Sequence, residues 1–471
     1  MSTLDDLRQR HDRLERLRKL GVHRGATHLR AAPEPPPDAP GFQQPASSNQ
    51  LPSANPQSAI RNPQSPSLPG EPVDTPFGPA WVRTERYPLA ERPDLAEWLR
   101  VSGDALAALG QDAALADLEP GRAVFLDTET TGLSMGAGTY TFMIGVGTYT
   151  PTPQPPPPSG TGEGAQGVGA AFVVRQYFMR HPGEERAQLH LVEEALTGCG
   201  GLVSFNGRAF DLPLVQSRFV LARRPPPLIG APHLDLLPPA RRVWRARIGS
   251  CRLGNLEREV LGVQRSVEDV PGYLIPDIYR EYYHGGGVTE MLVRVFYHNL
   301  LDVTSMPILA ARLARRFAPT DPVARLADLH PLECASLARC YAGLAWDEAA
   351  IAAYRSALAG DLADGERADV LRDLAFLLKR LERREEAVVV WEEWISSIAS
   401  DDLTPYVELA KHHEWQTGDH KAARGWTAWA LRIAEGWPSG SGRDETLTEL
   451  RHRLERLERK LAEKGAQQFQ K

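Results

Sequence analysis

Apolar side chains along this chain follow two rhythms, short dense blocks first and helical spacing later. The blocks AWVRTERYPL, AVFLDTETTGL, TYTFMIGVGTYT, AAFVVRQYFM and GLVSFN are rich in β-branched and aromatic residues and bounded by glycine, proline or polar residues. They predict five strands. DLAEWLRVSGDALAAL reads as a helix ahead of the second strand. EERAQLHLVEEALTGC reads as another, with Leu189, Val192, Leu196 and Cys199 on one face, and a further helix begins at Asp211. Strands first, then strand and helix in alternation, predict an α/β fold with a mixed sheet flanked by helices.

Beyond Asp321 no strand signal remains. LARCYAGLAWDEAAIAAYRSAL, LAFLLKRLERREEAVVVWEEWI and LAKHHEWQTGDHKAARGWTAWAL read as helical hairpins, and aligning Ala349, Ala387 and Ala422 spaces them by 38 and 35 residues. This resembles tetratricopeptide repeats, whose period is ~34 residues. Tyr354, Trp391 and Trp426 fit the pattern, and the tryptophans of this region read as packing residues rather than base-stacking platforms. ETLTELRHRLERLERKLAEK is a charged helix suited to capping the array. At the other end, residues 1–22 read as a short charged helix. Residues 30–72, rich in Pro, Ser, Gln and Asn, read as a disordered linker, and the Pro- and Gly-rich tract 151–170 as an exposed loop between strands. The expected organisation is therefore a helix and linker over 1–72, an α/β domain over 73–318, an all-α repeat domain over 325–435 and a charged helix over 436–471.

Composition narrows the class. No apolar run approaches the ~20 residues of a membrane span. The N-terminal MSTLDDLRQR is not a secretory signal. Cys199, Cys251, Cys334 and Cys340 are scattered without a C-x-x-C pair, which argues against zinc, iron–sulfur or disulfide frameworks and for a reducing cytoplasm. The net charge of −6 hides an asymmetry: residues 121–316 hold 20 Arg and 17 acids, a balance of +3, and residues 317–471 hold 21 Lys plus Arg and 27 acids, a balance of −6. Two divalent cations on four of those acids would lift the first segment to about +7. A basic front of that kind suits a phosphate backbone.

The candidate chemistry begins at DTET. Two acids at i and i+2 on a strand share one face, so Asp127 and Glu129 stand side by side. SFNGRAFDLPLV places Asp211 at the start of a helix after a buried strand. FYHNLLDVTSMPIL places Asp302 within a helix, with His298 one turn before it on the same face. These three segments resemble motifs I, II and III of the DEDD 3′-to-5′ exonucleases, which have a ribonuclease-H-like fold. The closer resemblance is to the bacterial YprB-type proteins, which join such a domain to a C-terminal tetratricopeptide region. FLDTETTGLS, SFNGRAFDLP, HLDLL, CRLGNLEREVLGVQR, DVPGYLIPDIY and HNLLDVTS carry it, over roughly residues 73–430.

The resemblance implies a metal-dependent nuclease in which Asp127, Glu129, Asp211 and Asp302 hold two divalent cations, Mg²⁺ or Mn²⁺, ~4 Å apart on a phosphodiester. His298 would orient or deprotonate the attacking water. The sequence departs from the family here. The histidine subclass places His five residues before the last Asp and the tyrosine subclass places Tyr four before, whereas His298 lies four and Tyr297 five before Asp302; helix geometry favours His298.

Thr130, Thr131, Gly132 and Asn206 are candidate substrate contacts, and each also suits a role in closing its own turn. Asp235 reads as a helix cap rather than a metal ligand. RRVWRARIGSCR (241–252) holds five Arg around a Trp, which suits a single nucleic-acid strand and equally suits a solvated helix face. The expected partners are nucleic acid, single-stranded by preference, and a protein bound by the repeats. Two rival readings remain: a non-catalytic scaffold that holds nucleic acid and recruits a protein, and an endonuclease of the same fold.

Overall fold

The computed structural model describes residues 66–468 apart from 133–137, 151–169, 267–268, 319–325 and 399–400. The predicted N-terminal helix, most of the Pro-rich linker and nearly all of the 151–170 tract lie outside the described residues.

Seven strands form one sheet in the order β1-β2-β5-β4-β3-β6-β7, with β1 Glu71–Thr75, β2 Gly78–Pro88, β3 Ala123–Thr130, β4 Thr141–Tyr149, β5 Ala171–Phe178, β6 Gly201–Ser204 and β7 His233–Asp235. The first five pair antiparallel, and β3, β6 and β7 run parallel. The five predicted strands are present. β1 and the three-residue β7 are additions, and β1 moves the start of the domain to Glu71, inside the stretch read as linker. The helix predicted over DLAEWLRVSGDALAAL is broken. A short turn from Pro93 ends in extended backbone at Val101 and Ser102, and Ser102 then caps α1, Gly103–Gly110. Ser102 accepts from the Ala105 amide, so the chain restarts there instead of continuing.

Helices cover both faces. α2 (Glu185–Leu196) and α3 (Asp211–Leu221) bury Leu189, Val192, Leu196, Val215 and Phe219 against β3, β4 and β6. The other face carries α4 (Leu237–Ile248), α5 (Ile275–Glu281) and the 25-residue α6 (Glu290–Ala314). Close approach of α6 to the sheet depends on Gly145 and Gly147 of β4. A Cβ on Gly145 would lie 2.4 Å from Asn299 Oδ1, and one on Gly147 2.8 Å from Val303 Cγ1.

Beyond residue 326 the described chain is helical. Three successive helix pairs follow: α7 Pro331–Gly343 with α8 Asp347–Leu358, α9 Asp364–Arg380 with α10 Arg384–Ser397, and α11 Thr404–His412 with α12 His420–Glu435. α13, Ser441–Gln468, packs on α12. The helix pairs pack directly on the sheet domain. α7 packs on α4, and one continuous core joins Trp244 and Val243 of α4 to Leu337 and Tyr341 of α7. Buried Glu333 of α7 pairs with Arg247 of α4 and Arg316.

Candidate active site

β3 supplies the first two acids. Its apolar run Ala123–Leu126 is buried in the sheet, and the strand then emerges with Asp127 paired to Gly145 and Glu129 to Met143. A register shift follows at Glu129/Thr130. From α6, Asn299 donates to Asp127 Oδ2 at 2.8 Å, and Gln176 of β5 donates to Asn299 Oδ1 at 2.9 Å. This relay from β5 through α6 sets the orientation of Asp127. It has room only because residue 145 is glycine.

Asp211 arrives through a tight turn. Asn206 adopts φ of 67°, and its amide and that of Arg208 donate to the Asp235 carboxylate at 2.7 and 3.1 Å. The Leu237 amide also donates to Asp235, at 3.0 Å, so this residue closes the turn and caps the start of α4. Asp211 then opens α3, and Thr128 Oγ1 donates to its Oδ1 at 2.5 Å.

Asp302 projects from α6 with His298 one turn before it, His298 Nε2 lying 3.6 Å from Asp302 Oδ2. Tyr297 turns away, its hydroxyl accepting from the Ser266 amide at 3.5 Å. Three residues that the sequence reading passed over complete this side. His298 Nδ1 donates to Asp269 Oδ1 at 2.8 Å. The Arg265 guanidinium bonds to Asp302, lies 3.3 Å from Asp269 and forks onto Glu257. The segments CRLGNLEREVLGVQR and DVPGYLIPDIY hold all three, Glu257 in a short helical stretch and Arg265 and Asp269 in the connection after it, so no helical or strand period relates them.

Thr130 and Thr131 spend their hydroxyls on the chain itself. Thr130 donates to the Gly132 carbonyl at 2.8 Å, and Thr131 accepts from the Tyr140 amide at 3.0 Å. Among the described residues the Asn206 side chain has no hydrogen-bond partner, and it lines the same cavity as Asp127 and Asp302, a space of about 590 Å³.

The electrostatics show an excess of buried negative charge. Burial, then Asp302, Asp211 and Glu129, push Asp127 well above the carboxylate range, against the bond from Asn299. Glu129 rises to about 8, mainly by burial, and Asp211 to about 6, again mainly by burial. Burial disfavours a charged His298, but Asp302, the bond to Asp269 and Glu129 outweigh it and raise the imidazole to about 9. Among the described residues no three His, Cys, Asp or Glu side chains are grouped so that they could hold a metal ion as they stand. Three of the four acids instead lean on a protein partner: Asp127 on Asn299, Asp211 on Thr128, Asp302 on Arg265. The acids are close enough to raise one another's pKa, and hard oxygen donors with surplus negative charge fit Mg²⁺ or Mn²⁺.

A pH dependence follows. Glu129 holds a proton up to about 8 in the fold and releases it near 4.5 when unfolded. His298 holds one up to about 9 against 6.5 unfolded. Both contributions to stability are present at low pH and are lost as pH rises. The metal-free protein therefore melts lower at about pH 8 than at about pH 6, and Mn²⁺ raises the melting temperature more at the higher pH. Calorimetry with EDTA and with Mn²⁺ measures this; equal shifts at both pH values would contradict it.

The sequence profile of the RNase H superfamily matches residues 124–314, from β3 to the end of α6. Over 344 residues the chain is 30% identical to YprB of Bacillus subtilis (strain 168), covering 71% of this chain and 74% of that protein. No helix of the described residues is long and apolar enough to cross a membrane. A shared superfamily core from β3 to α6, continued by similarity well beyond it, means that this chain belongs to the YprB family of the RNase H superfamily.

Proposed function

We propose that this protein is a 3′-to-5′ exonuclease that hydrolyses single-stranded nucleic acid with two divalent cations held by Asp127, Glu129, Asp211 and Asp302. The observation that carries the reading is that one strand and two helices bring these four acids close enough to raise one another's pKa, with Asp127 and Asp302 lining a cavity. Their burial without enough positive charge is the state a cation site has before its ions enter. When bound, the cations supply Lewis acidity toward the phosphodiester oxygens and acidify water.

The chain's own groups do the rest. Asn299 and Thr128 hold Asp127 and Asp211 in fixed orientations. Asp269 accepts the Nδ1–H hydrogen bond of His298 and so leaves Nε2 facing the Asp302 side. His298 accepts the proton of the attacking water at Nε2, and the P–O3′ bond breaks as the new P–O bond forms. Asp302 and Glu129, two of the carboxylates that raise His298 to about 9, are ones the cations would offset, which lowers the imidazole toward its free base when the site is loaded; Asp269 keeps its bond to Nδ1. The helix pairs α7–α12 act as tetratricopeptide-like repeats that recruit a protein partner.

The test uses 5′-labelled single strands of DNA and RNA with Mg²⁺ or Mn²⁺. Stepwise shortening of linear strands, with circular strands left intact, is expected. Cleavage of circles would make the enzyme an endonuclease, and inertness toward every strand would leave the scaffold reading.

A further inference from the structure

The five arginines of residues 241–252 divide into two groups. Arg242 bonds to the Leu109 carbonyl, and Arg247 bonds to Glu333 and the Glu259 carbonyl, so both serve the scaffold. Arg241, Arg245 and Arg252 are exposed, and among the described residues none has a hydrogen-bond or ion-pair partner. All three line the cavity that also contains Asp127 and Asp302.

Helix stability does not account for them. Arg241 and Arg245 lie one turn apart, where like charges disfavour the helix. The helix dipole rewards Arg245 near the C-terminus, but Arg241 stands toward the N-terminal half of α4, and Arg252 lies beyond the helix. Unpaired guanidiniums gathered beside a carboxylate cluster are what a polyanion needs if it must approach that cluster against its charge. The floor between them, with Leu237, Cys251 and Leu253, is buried and apolar, and Asn206 and Ser250 are the two uncharged polar side chains of the lining, too few to read a run of bases. Phe205 is the one aromatic side chain of the lining, so at most one base stacks there.

We propose that Arg241, Arg245 and Arg252 form a phosphate-binding wall that guides the sugar–phosphate backbone of a nucleic-acid strand onto Asp127 and Asp302, without reading base sequence. This rests on the nuclease reading for the direction of travel, not for the binding itself. α4 gives the wall a rigid support, because its opposite face packs on α7 through Trp244 and Val243.

The experiment measures binding of a fluorescein-labelled single strand to the full chain in EDTA, by anisotropy, over a series of NaCl concentrations. Each lost phosphate contact removes ~0.7 from the slope of log K against log[salt] for a single strand. Arg241→Gln/Arg245→Gln/Arg252→Gln should lower that slope by ~2 and weaken binding at low salt at least ~10-fold, equally for strands of different sequence. Arg252→Gln alone, outside the helix, should lower it by ~0.7. The charge-matched control Arg100→Gln/Arg424→Gln/Arg459→Gln, outside the cavity, should leave it unchanged. An unchanged slope in the triple variant, or an equal loss in the control, overturns the wall. If the wall-dependent binding holds and labelled strands are never shortened, the nuclease reading fails and the wall stands. If strands are shortened and the triple variant binds like wild type, the wall fails and the nuclease reading stands.

Discussion

With Asp127 replaced by asparagine, strand shortening falls ~10³-fold or more, about 4 kcal/mol of transition-state stabilisation, while the fold melts no lower. The two halves of this expectation come from one geometry. Asparagine keeps the shape of aspartate and still offers a carbonyl oxygen to the Asn299 amide, so the relay from Gln176 survives. It removes the charge that burial and three neighbouring acids oppose. At about pH 8 the metal-free variant should therefore melt higher than wild type, and the gap should narrow as pH falls, because the raised pKa of Asp127 lets the folded wild type take up a proton that relieves the buried charge. What is lost is a hard, anionic oxygen for a cation. Mn²⁺ should accordingly stabilise Asp127→Asn less than wild type. An active variant would remove Asp127 from the site; an inactive variant that melts lower would show only misfolding.

Local periodicity pairs some of the proposed site residues, and the family resemblance joined the pairs and Asp211 into one candidate site. Alternation on β3 puts Asp127 and Glu129 on one face, and helical spacing puts His298 beside Asp302. The groups that orient them were not legible, because they meet across the fold. Asn299 and Asp127 are 172 residues apart, and Gln176 and Asn299 123 apart, and no local rhythm encodes such a pair. Nor does spacing reveal that Gly145 matters, since its role is the absence of a side chain beneath Asn299. The arginine run shows the same limit in reverse. Its composition was plain, but which arginines face the scaffold and which face the cavity depended on where α7 docks. The fold was read well where strands are long; β7, three residues of HLD, offers no alternation to detect.

Arg265→Gln should destabilise the metal-free protein by about 3–5 kcal/mol, the usual cost of breaking one side of a buried ion pair, and yet bind Mn²⁺ more tightly. The guanidinium has two tasks. Its fork onto Glu257, with one arm at 2.7 Å, satisfies a carboxylate whose side chain is 1% exposed. Its other arm holds Asp302, one of the acids assigned to the cations. The first task is structural: without Arg265, Glu257 is an uncompensated buried charge. The second is competitive: in the wild type a cation must draw Asp302 away from an arginine already in place, and in the variant it need not. The double variant Glu257→Gln/Arg265→Gln separates the two. It removes the buried charge along with its partner, so most of the lost stability should return, while the gain in Mn²⁺ affinity should remain. Titration calorimetry and thermal melts of the three proteins measure both quantities. If the double variant regains stability but neither variant binds Mn²⁺ more tightly, Arg265 is a scaffold residue only, and Asp302 reaches its ions without displacing it.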